Sequence, residues 1–586
     1  MADDTARLVA PAAAEAPDPG PWRPSNRLLA RAALLTAVLT AAGAVFGLIR
    51  DQLLAHTFGA GTDTDAFLVA WTVPEFAATL LIEDAMALIL VPAFSGALAR
   101  RTLGQDTDPV RALVRATLPK AVLGMGVAAG LTVLAAPWLV PVLAPGLPQQ
   151  RLAVDCTRLT ATCVLTFTLA GYCSAALRAH GRFLPPAAIN VAYNTGIITA
   201  VVLLGARWGV RAAACGVAAG GLLMVLVQAP SLWRQLWGKR AGRGRAGSGR
   251  PGSGRAGREG PGREGPGSGR AGGLVVALLA PVIVFAVTRQ SQVLVERFLA
   301  APLPAGAISH LNYAQKVAQL PMVLSLMMST VTFPVVARAM AAGDTGTARR
   351  RAERDLLLAG VIVLAGAATV IAAAPQIVEL LFQRGAFDHA DTAATAAVMR
   401  VYALGLLGHT LVSALVRCYF SASTPLWYPA AVMTGGVAVT AAAGLVLVGP
   451  WGAAGIAAGN ALGITLSAAL LLLGVRRQSI PLDTALLVRG LGRLTAAAAV
   501  ATAAGWWCAA GPPLLATPLA LVAVTAVFLA AACLLRAPVV PSLVRSLTRT
   551  AVRRLAHGPS ETPDSLESLE STPVGRDVPL HRRHHR

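Results

Sequence analysis

Charge is scarce in this sequence, and lysine scarcer still. Charged residues make up 13% of the 586 positions, and only Lys120, Lys239 and Lys316 are lysines. Soluble domains carry about 25% charged residues, so an ordinary water-soluble chain is excluded. No CxxC occurs among the seven cysteines (156, 163, 173, 215, 418, 508 and 533), which lie in or beside apolar segments. A disulfide framework and a zinc site have no support from that pattern. HExxH, GxSxG and Walker A sequences are missing as well. His56, His310, His389 and His409 are scattered, and His581, His584 and His585 belong to the tail. The reading is therefore not an enzyme, with no cofactor and no metal. A membrane-embedded glycosyltransferase would need clustered carboxylates and usually a large outside loop, and neither is present. Met1–Asn26 is polar and proline-rich without a short apolar core, so no cleaved signal peptide is expected.

What the sequence has in abundance is apolar length. Hydrophobic residues reach 55% and mean hydropathy is +0.62. Runs of about 20 apolar residues suffice to cross a ~30 Å hydrocarbon core. Fourteen such runs centre near residues 41, 81, 129, 165, 194, 221, 285, 325, 367, 406, 436, 463, 498 and 525. Pro74, Pro321 and Pro334 interrupt the second and eighth, where they are hinges or tolerated kinks.

The net charge of +22 is concentrated in Arg240–Arg270 and in the two tails, a distribution that argues against nucleic acid as a partner. With the N-terminus inside and fourteen alternating spans, the inside loops collect most arginines. These include Arg100, Arg101, Arg111, Arg115, Arg178, Arg182, the Arg349–Arg351 cluster and Arg545–Arg554, whereas the outside loops hold little beyond Arg151, Arg207, Arg211 and Arg384. This asymmetry places both termini in the cytoplasm of a multi-pass plasma-membrane protein. Residues 1–28 read as a disordered cytoplasmic N-terminus and 239–273 as a disordered basic cytoplasmic linker. Between them, 29–238 forms an N-lobe of spans 1–6. Residues 274–478 form a C-lobe of spans 7–12, 486–538 hold spans 13–14, and 539–586 are a basic, largely disordered cytoplasmic tail.

The two lobes resemble each other. Trp208-Gly-Val-Arg-Ala-Ala-Ala-Cys-Gly matches Trp451-Gly-Ala-Ala-Gly-Ile-Ala-Ala-Gly. Ala176-Leu-Arg178 with Pro185-Pro-Ala-Ala matches Leu415-Val-Arg417 with Tyr428-Pro-Ala-Ala431. The offsets, 243 and 239 residues, nearly agree. Six spans per repeat gives both lobes the same orientation, hence a pseudo-two-fold axis along the membrane normal with a substrate site between them. The expected fold is an all-α polytopic membrane protein of 14 transmembrane helices, two six-helix lobes plus two C-terminal helices.

Ionisable groups inside the bilayer cost roughly 2.5–3.5 kcal/mol on insertion scales and persist where they face a protein-lined, watery path. They cluster in the first hairpin of each lobe: Arg50, Asp51, Asp65, Glu75, Glu83 and Asp84 in residues 46–87, and Arg289, Glu296, Arg297 and Lys316 in spans 7–8, where Asn312 adds a polar group. A central cavity lined by spans 1, 2, 7 and 8 follows.

At this point the residues resemble a known family. Gly47-Leu-Ile-Arg-Asp51, Phe58-Gly-Ala-Gly61, Thr64-Asp-Ala-Phe67, Glu83-Asp-Ala85 and Val91-Pro-Ala-Phe94 are similar to the opening of the MurJ (MviN) lipid II flippases. The similarity continues through Val295-Glu-Arg-Phe-Leu299, Leu311-Asn-Tyr-Ala314 and Phe382-Gln-Arg-Gly-Ala-Phe387, covering roughly residues 30–480. These flippases belong to the multidrug/oligosaccharidyl-lipid/polysaccharide exporter superfamily. The resemblance implies transport of lipid II from the inner to the outer leaflet by alternating access, in peptidoglycan synthesis and the maintenance of cell shape. It implies Arg50, Arg289, Arg297 and Lys316 as headgroup contacts. Asp51, Asp65, Glu75, Glu83, Asp84, Glu296 and Asn312 become gating or structural polar residues. Membrane lipids and cell-wall synthesis proteins are the implied partners besides the cargo. Two departures stand out. Gly43-Ala44 occupies the place of a Ser-Arg pair, and Pro74-Glu75-Phe76-Ala77-Ala78 lacks an arginine pair while adding an acid. The cavity is thus short of cations, which leaves open another polyprenyl-pyrophosphate-linked glycan, a drug antiporter or a non-transporting cell-wall scaffold.

Overall fold

The computed structural model describes residues 26–79, 82, 86–102, 108–237, 268–325, 344–420, 426–478, 481–541 and 545. The regular structure among them is helical. Apolar surroundings demand this, because an α-helix satisfies its backbone hydrogen bonds within one segment. Glu83, Asp84 and Pro334 lie outside the described residues, as do nearly all of the N-terminal, linker and tail segments.

Ten described helices are long and apolar enough to cross a membrane, and the pair His389–Leu404 and Leu406–Phe420, bent by 45°, makes an eleventh. All eleven coincide with expected spans. The other three of the fourteen, near residues 81, 285 and 325, adjoin residues outside the described set. Large apolar side chains such as Leu134, Leu203, Val446 and Trp507 cover the outer surface, as they must where the solvent is hydrocarbon.

Local signals account for several helix ends. Asp108, Asp344 and Asp483 each accept a backbone N–H, from Val110, Thr347 and Leu486 respectively, placing negative charge at helix N-termini. Asp388 and Asp391 form a reciprocal capping box. The two sequence matches coincide with matched geometry. Helix Ile189–Trp208 breaks at Gly209 (φ 55°, ψ −141°) and Tyr428–Trp451 at Gly452 (φ 54°, ψ −133°). Likewise Gln150–Ala161 gives way to Cys163–Ala179 at Thr162, as His389–Leu404 gives way to Leu406–Phe420 at Gly405.

One apolar core joins the two charged hairpins. It holds Leu54 and Phe67 from the first together with Ile308, Leu311 and Tyr313 from the second, and Phe382 and Phe387 beyond them. A second core gathers Leu357, Leu415, Leu471, Leu494 and Phe528, so helices Thr484–Cys508 and Pro513–Leu534 dock on Thr345–Ala372.

Candidate functional site

Helix Asn26–Phe58 and helix Thr62–Ala78 form the first hairpin, and their facing sides line a cavity of about 400 Å³. Thr36, Thr40 and Arg50 share its wall; the first and last are fourteen helical steps apart, so the cavity runs about 20 Å along the helix. Trp71, Glu75 and Ala78 recur at helical spacing on the opposite wall. Among the described residues, Lys316, from helix Ala307–Ala318, is the one lining residue from the second charged hairpin.

The charges here are tightly connected. Arg50 donates to Asp51 Oδ1 at 2.8 and 3.0 Å and to Asn194 Oδ1 at 2.7 Å. Lys316 Nζ lies 3.6 Å from the same Asp51 oxygen. Both cations sit over the Trp71 ring, at 4.4 and 4.6 Å from its centroid, a contact that strengthens when water is excluded. Trp71 Nε1 in turn donates to Tyr193 Oη at 3.1 Å. Asp51 thus holds two cations at one indole face, and Lys316 reaches it from the other hairpin.

The hairpin tips meet in a seam. Asp65, 4% exposed, accepts from Gly306 N at 2.8 Å, Ser309 N at 2.8 Å and Ser309 Oγ at 2.6 Å. A carboxylate of the first hairpin thereby caps the N-terminus of Ala307–Ala318 in the second, where no side chain of its own does so. Gly306 has φ +90°, and a Cβ there would meet Ala60 O at 2.6 Å, so a larger residue would push the seam apart. Ala386 N donates to His56 O at 2.9 Å beside it.

The second charged pair is used differently. Glu296 accepts from Tyr402 Oη at 2.6 Å and from Asn460 Nδ2, whose Oδ1 contacts His409 at 3.1 Å. Arg297 donates to Ile308 O and Asn312 Oδ1, both at 3.1 Å. At 2% and 3% exposure neither lines the cavity. Arg289 contacts Ser413 at 3.4 Å and also lies away from it. Of the four cations named as headgroup contacts, the structure brings Arg50 and Lys316 together and leaves Arg289 and Arg297 elsewhere. Among the polar residues Glu75 lines the cavity, Asp51 backs it, Asp65 closes the seam, and Glu296 and Asn312 are internal.

Several lining residues were not singled out from the sequence. Arg178, expected in an inside loop, is on the cavity wall, as are Asn190, Tyr193 and Phe167. Asn194 stands behind them, tying Arg50 to Gly43 O. A Cβ on Gly43 would come within 2.8 Å of Asn190 Cβ, so the missing side chain there permits close helix contact. Ala78 lines the cavity in the stretch where the arginine pair is absent. An Asn–x–x–x–Asn spacing (190 and 194) in an apolar run was the available signal for this wall.

A family model described as lipid II flippase MurJ matches residues 54–512. A lipid II flippase MurJ of Burkholderia cenocepacia is 28% identical over 82% of this chain and 90% of its own length. A probable lipid II flippase MurJ of Vibrio cholerae is 25% identical over 82% and 88%. Among solved structures, a lipid II flippase MurJ in an inward closed conformation covers 86% of this chain and 98% of its own, with TM-score 0.66 at 17% identity. An inward-facing multidrug-resistance MATE transporter covers 78% and 99% with TM-score 0.59 at 15% identity. At those identities the structures speak to the fold alone.

Proposed function

Because the chain belongs to the lipid II flippase MurJ family, we propose that it carries the lipid II headgroup across the membrane through the cavity of Arg50, Lys316 and Trp71. The protein is a multi-pass membrane transporter and not an enzyme. The observation that carries the proposal is the convergence of two cations from different hairpins on one carboxylate and one indole face. A pyrophosphate crossing a low-dielectric layer needs charge-assisted donors. Arg50 and Lys316 offer them, and Asp51 neutralises the two in part. A cargo phosphate competing with Asp51 for Lys316 loosens the tie between the hairpins, which couples binding to opening.

With both termini cytoplasmic, the Asp65 seam lies on the outer side and Thr36, Thr40 and Arg178 face inward. The conformation is then closed outside and approached from the cytoplasm. Release to the outer leaflet requires Asp65 to leave Gly306 and Ser309. Fourteen spans in two lobes with spans 13–14 appended is the arrangement we adopt. The matched breaks at Gly209 and Gly452, and at Thr162 and Gly405, support it, and the plasma membrane of a bacterium is the site of action. Arg178 is the additional headgroup cation. The antiporter, other-glycan and scaffold readings are not favoured, since the family match extends across residues 54–512. Complementation of a bacterium depleted of its lipid II flippase tests the proposal. Growth is expected with the wild-type chain, and failure of a well-expressed, membrane-inserted chain refutes it.

A further inference from the structure

We propose that Glu75 gives the cavity a selectivity for cargo whose headgroup carries a free ammonium group, such as the side-chain amine of a diamino acid in a peptide, as well as its pyrophosphate. The assignment rests on the lipid II reading and deepens it. Three other interior acids among the described residues are matched within the fold. Asp51 has Arg50 and Lys316, Asp65 has Gly306 and Ser309, and Glu296 has Tyr402 and Asn460. Glu75 lines the cavity half-buried; among the described residues no side chain donates to its carboxylate, and Lys316, which feels its charge, stands beyond ion-pair distance because Asp51 holds it. Burying an unmatched carboxylate is unfavourable, so its partner is expected to come with the ligand.

The surroundings suit a cation. Glu75 is one turn beyond Trp71 on the same helix face, and Phe167, Phe183 and Tyr193 line the same cavity. Aromatic faces beside a carboxylate are the recurring recognition surface for ammonium groups. Arg50, Arg178 and Lys316 supply the opposite pole. For a purely anionic headgroup Glu75 would only repel, whereas for a headgroup bearing both signs it orients the ligand, with phosphate toward the cations and amine toward the acid. Discrimination then comes from an unmatched charge when the amine is absent.

The test compares two ligands on the full-length protein in lipid nanodiscs. One is a polyprenyl-pyrophosphate disaccharide-peptide with a free side-chain amine, and the other is the same molecule with that amine acetylated. The wild-type protein is expected to prefer the free amine by roughly tenfold or more, the size of one charge-assisted contact. In Glu75→Gln the ratio of the two dissociation constants falls toward one, and in Glu75→Asp a preference returns. Equal wild-type affinities would overturn the assignment without any variant, and so would a ratio that survives Glu75→Gln. A pH dependence of transport that vanishes in Glu75→Gln while the ratio persists would make the residue a proton carrier instead. If the wild type binds neither ligand, the cargo reading itself fails and takes this assignment with it.

Discussion

Arg50-Asp51 and Glu296-Arg297 are the same chemistry written twice, an acid beside an arginine near the end of the first helix of each charged hairpin. The fold puts them to opposite uses. Asp51 holds Arg50 and reaches across to Lys316, so its charge is shared between hairpins and stands behind two cations that line the cavity. Glu296 is matched by Tyr402 and Asn460, and Arg297 by Ile308 O and Asn312, all from the second hairpin or the helices after it. A charge whose partners lie on one rigid unit stiffens that unit. A charge whose partner lies on the other can change partners as the two move. The difference teaches that what a buried ion can do depends on where its partner comes from, not on its own identity.

The sharpest way to break this contrast is to remove one cation of the cavity. Arg50→Ala or Lys316→Ala leaves Asp51 short of a partner at low exposure, a loss of roughly 3–5 kcal/mol for a buried pair. Complementation should fail in either variant at normal membrane levels, and growth on flippase depletion checks it. If both variants support growth, the cavity is not the headgroup site. Next in size is the seam. Asp65→Ala removes three charge-assisted hydrogen bonds, each worth about 1.5–3 kcal/mol, and should favour the outward-open form. Thiol labelling at an engineered Ala307→Cys, buried in the seam beside Gly306, should accelerate at least tenfold in that background, and unchanged labelling would remove Asp65 from the gate.

The internal pair should respond in another currency. Glu296→Gln keeps the shape but can no longer accept from both neighbours with full charge, at a cost of about 1–3 kcal/mol. The expected result is a lower melting temperature of the purified protein with transport per folded molecule largely retained. Loss of transport at unchanged stability would erase the distinction drawn between the two pairs. The smallest effect belongs to Arg178→Ala, because a partly exposed cation contributes about 0.2–1 kcal/mol. A few-fold weaker dependence of flipping on cargo concentration, without loss of the outer seam, is the expected outcome in a reconstituted assay.

Much of this was readable in the sequence because the signals are local. Each apolar run announces a helix, and eleven expected spans coincide with helices of the right length. The Trp-Gly repeat at 208 and 451 marked where two helices break alike. The clustering of charge in two hairpins located the cavity's neighbourhood. What could not be read was the direction of each side chain. Arg50 and Arg297 were indistinguishable as buried arginines beside an acid, and only the packing of Lys316 against Trp71, and of Tyr402 and Asn460 against Glu296, separates them. Arg178 looked like a loop cation because it ends helix Cys163–Ala179. Its place on the wall depends on how that helix leans against Thr62–Ala78.

By itself the sequence determined that this chain is a helical membrane protein with polar groups inside two of its hairpins, and through its motifs it determined the family. Those properties follow from hydrophobic length, charge asymmetry and residue order, which act along the chain and need no partner. Tertiary structure alone decided which ions pair across the two hairpins, which are sealed within one, and that Glu75 forms no ion pair among the described residues. Pairing energies depend on separations of a few ångströms between atoms far apart in the chain, and those separations exist only once the helices have packed.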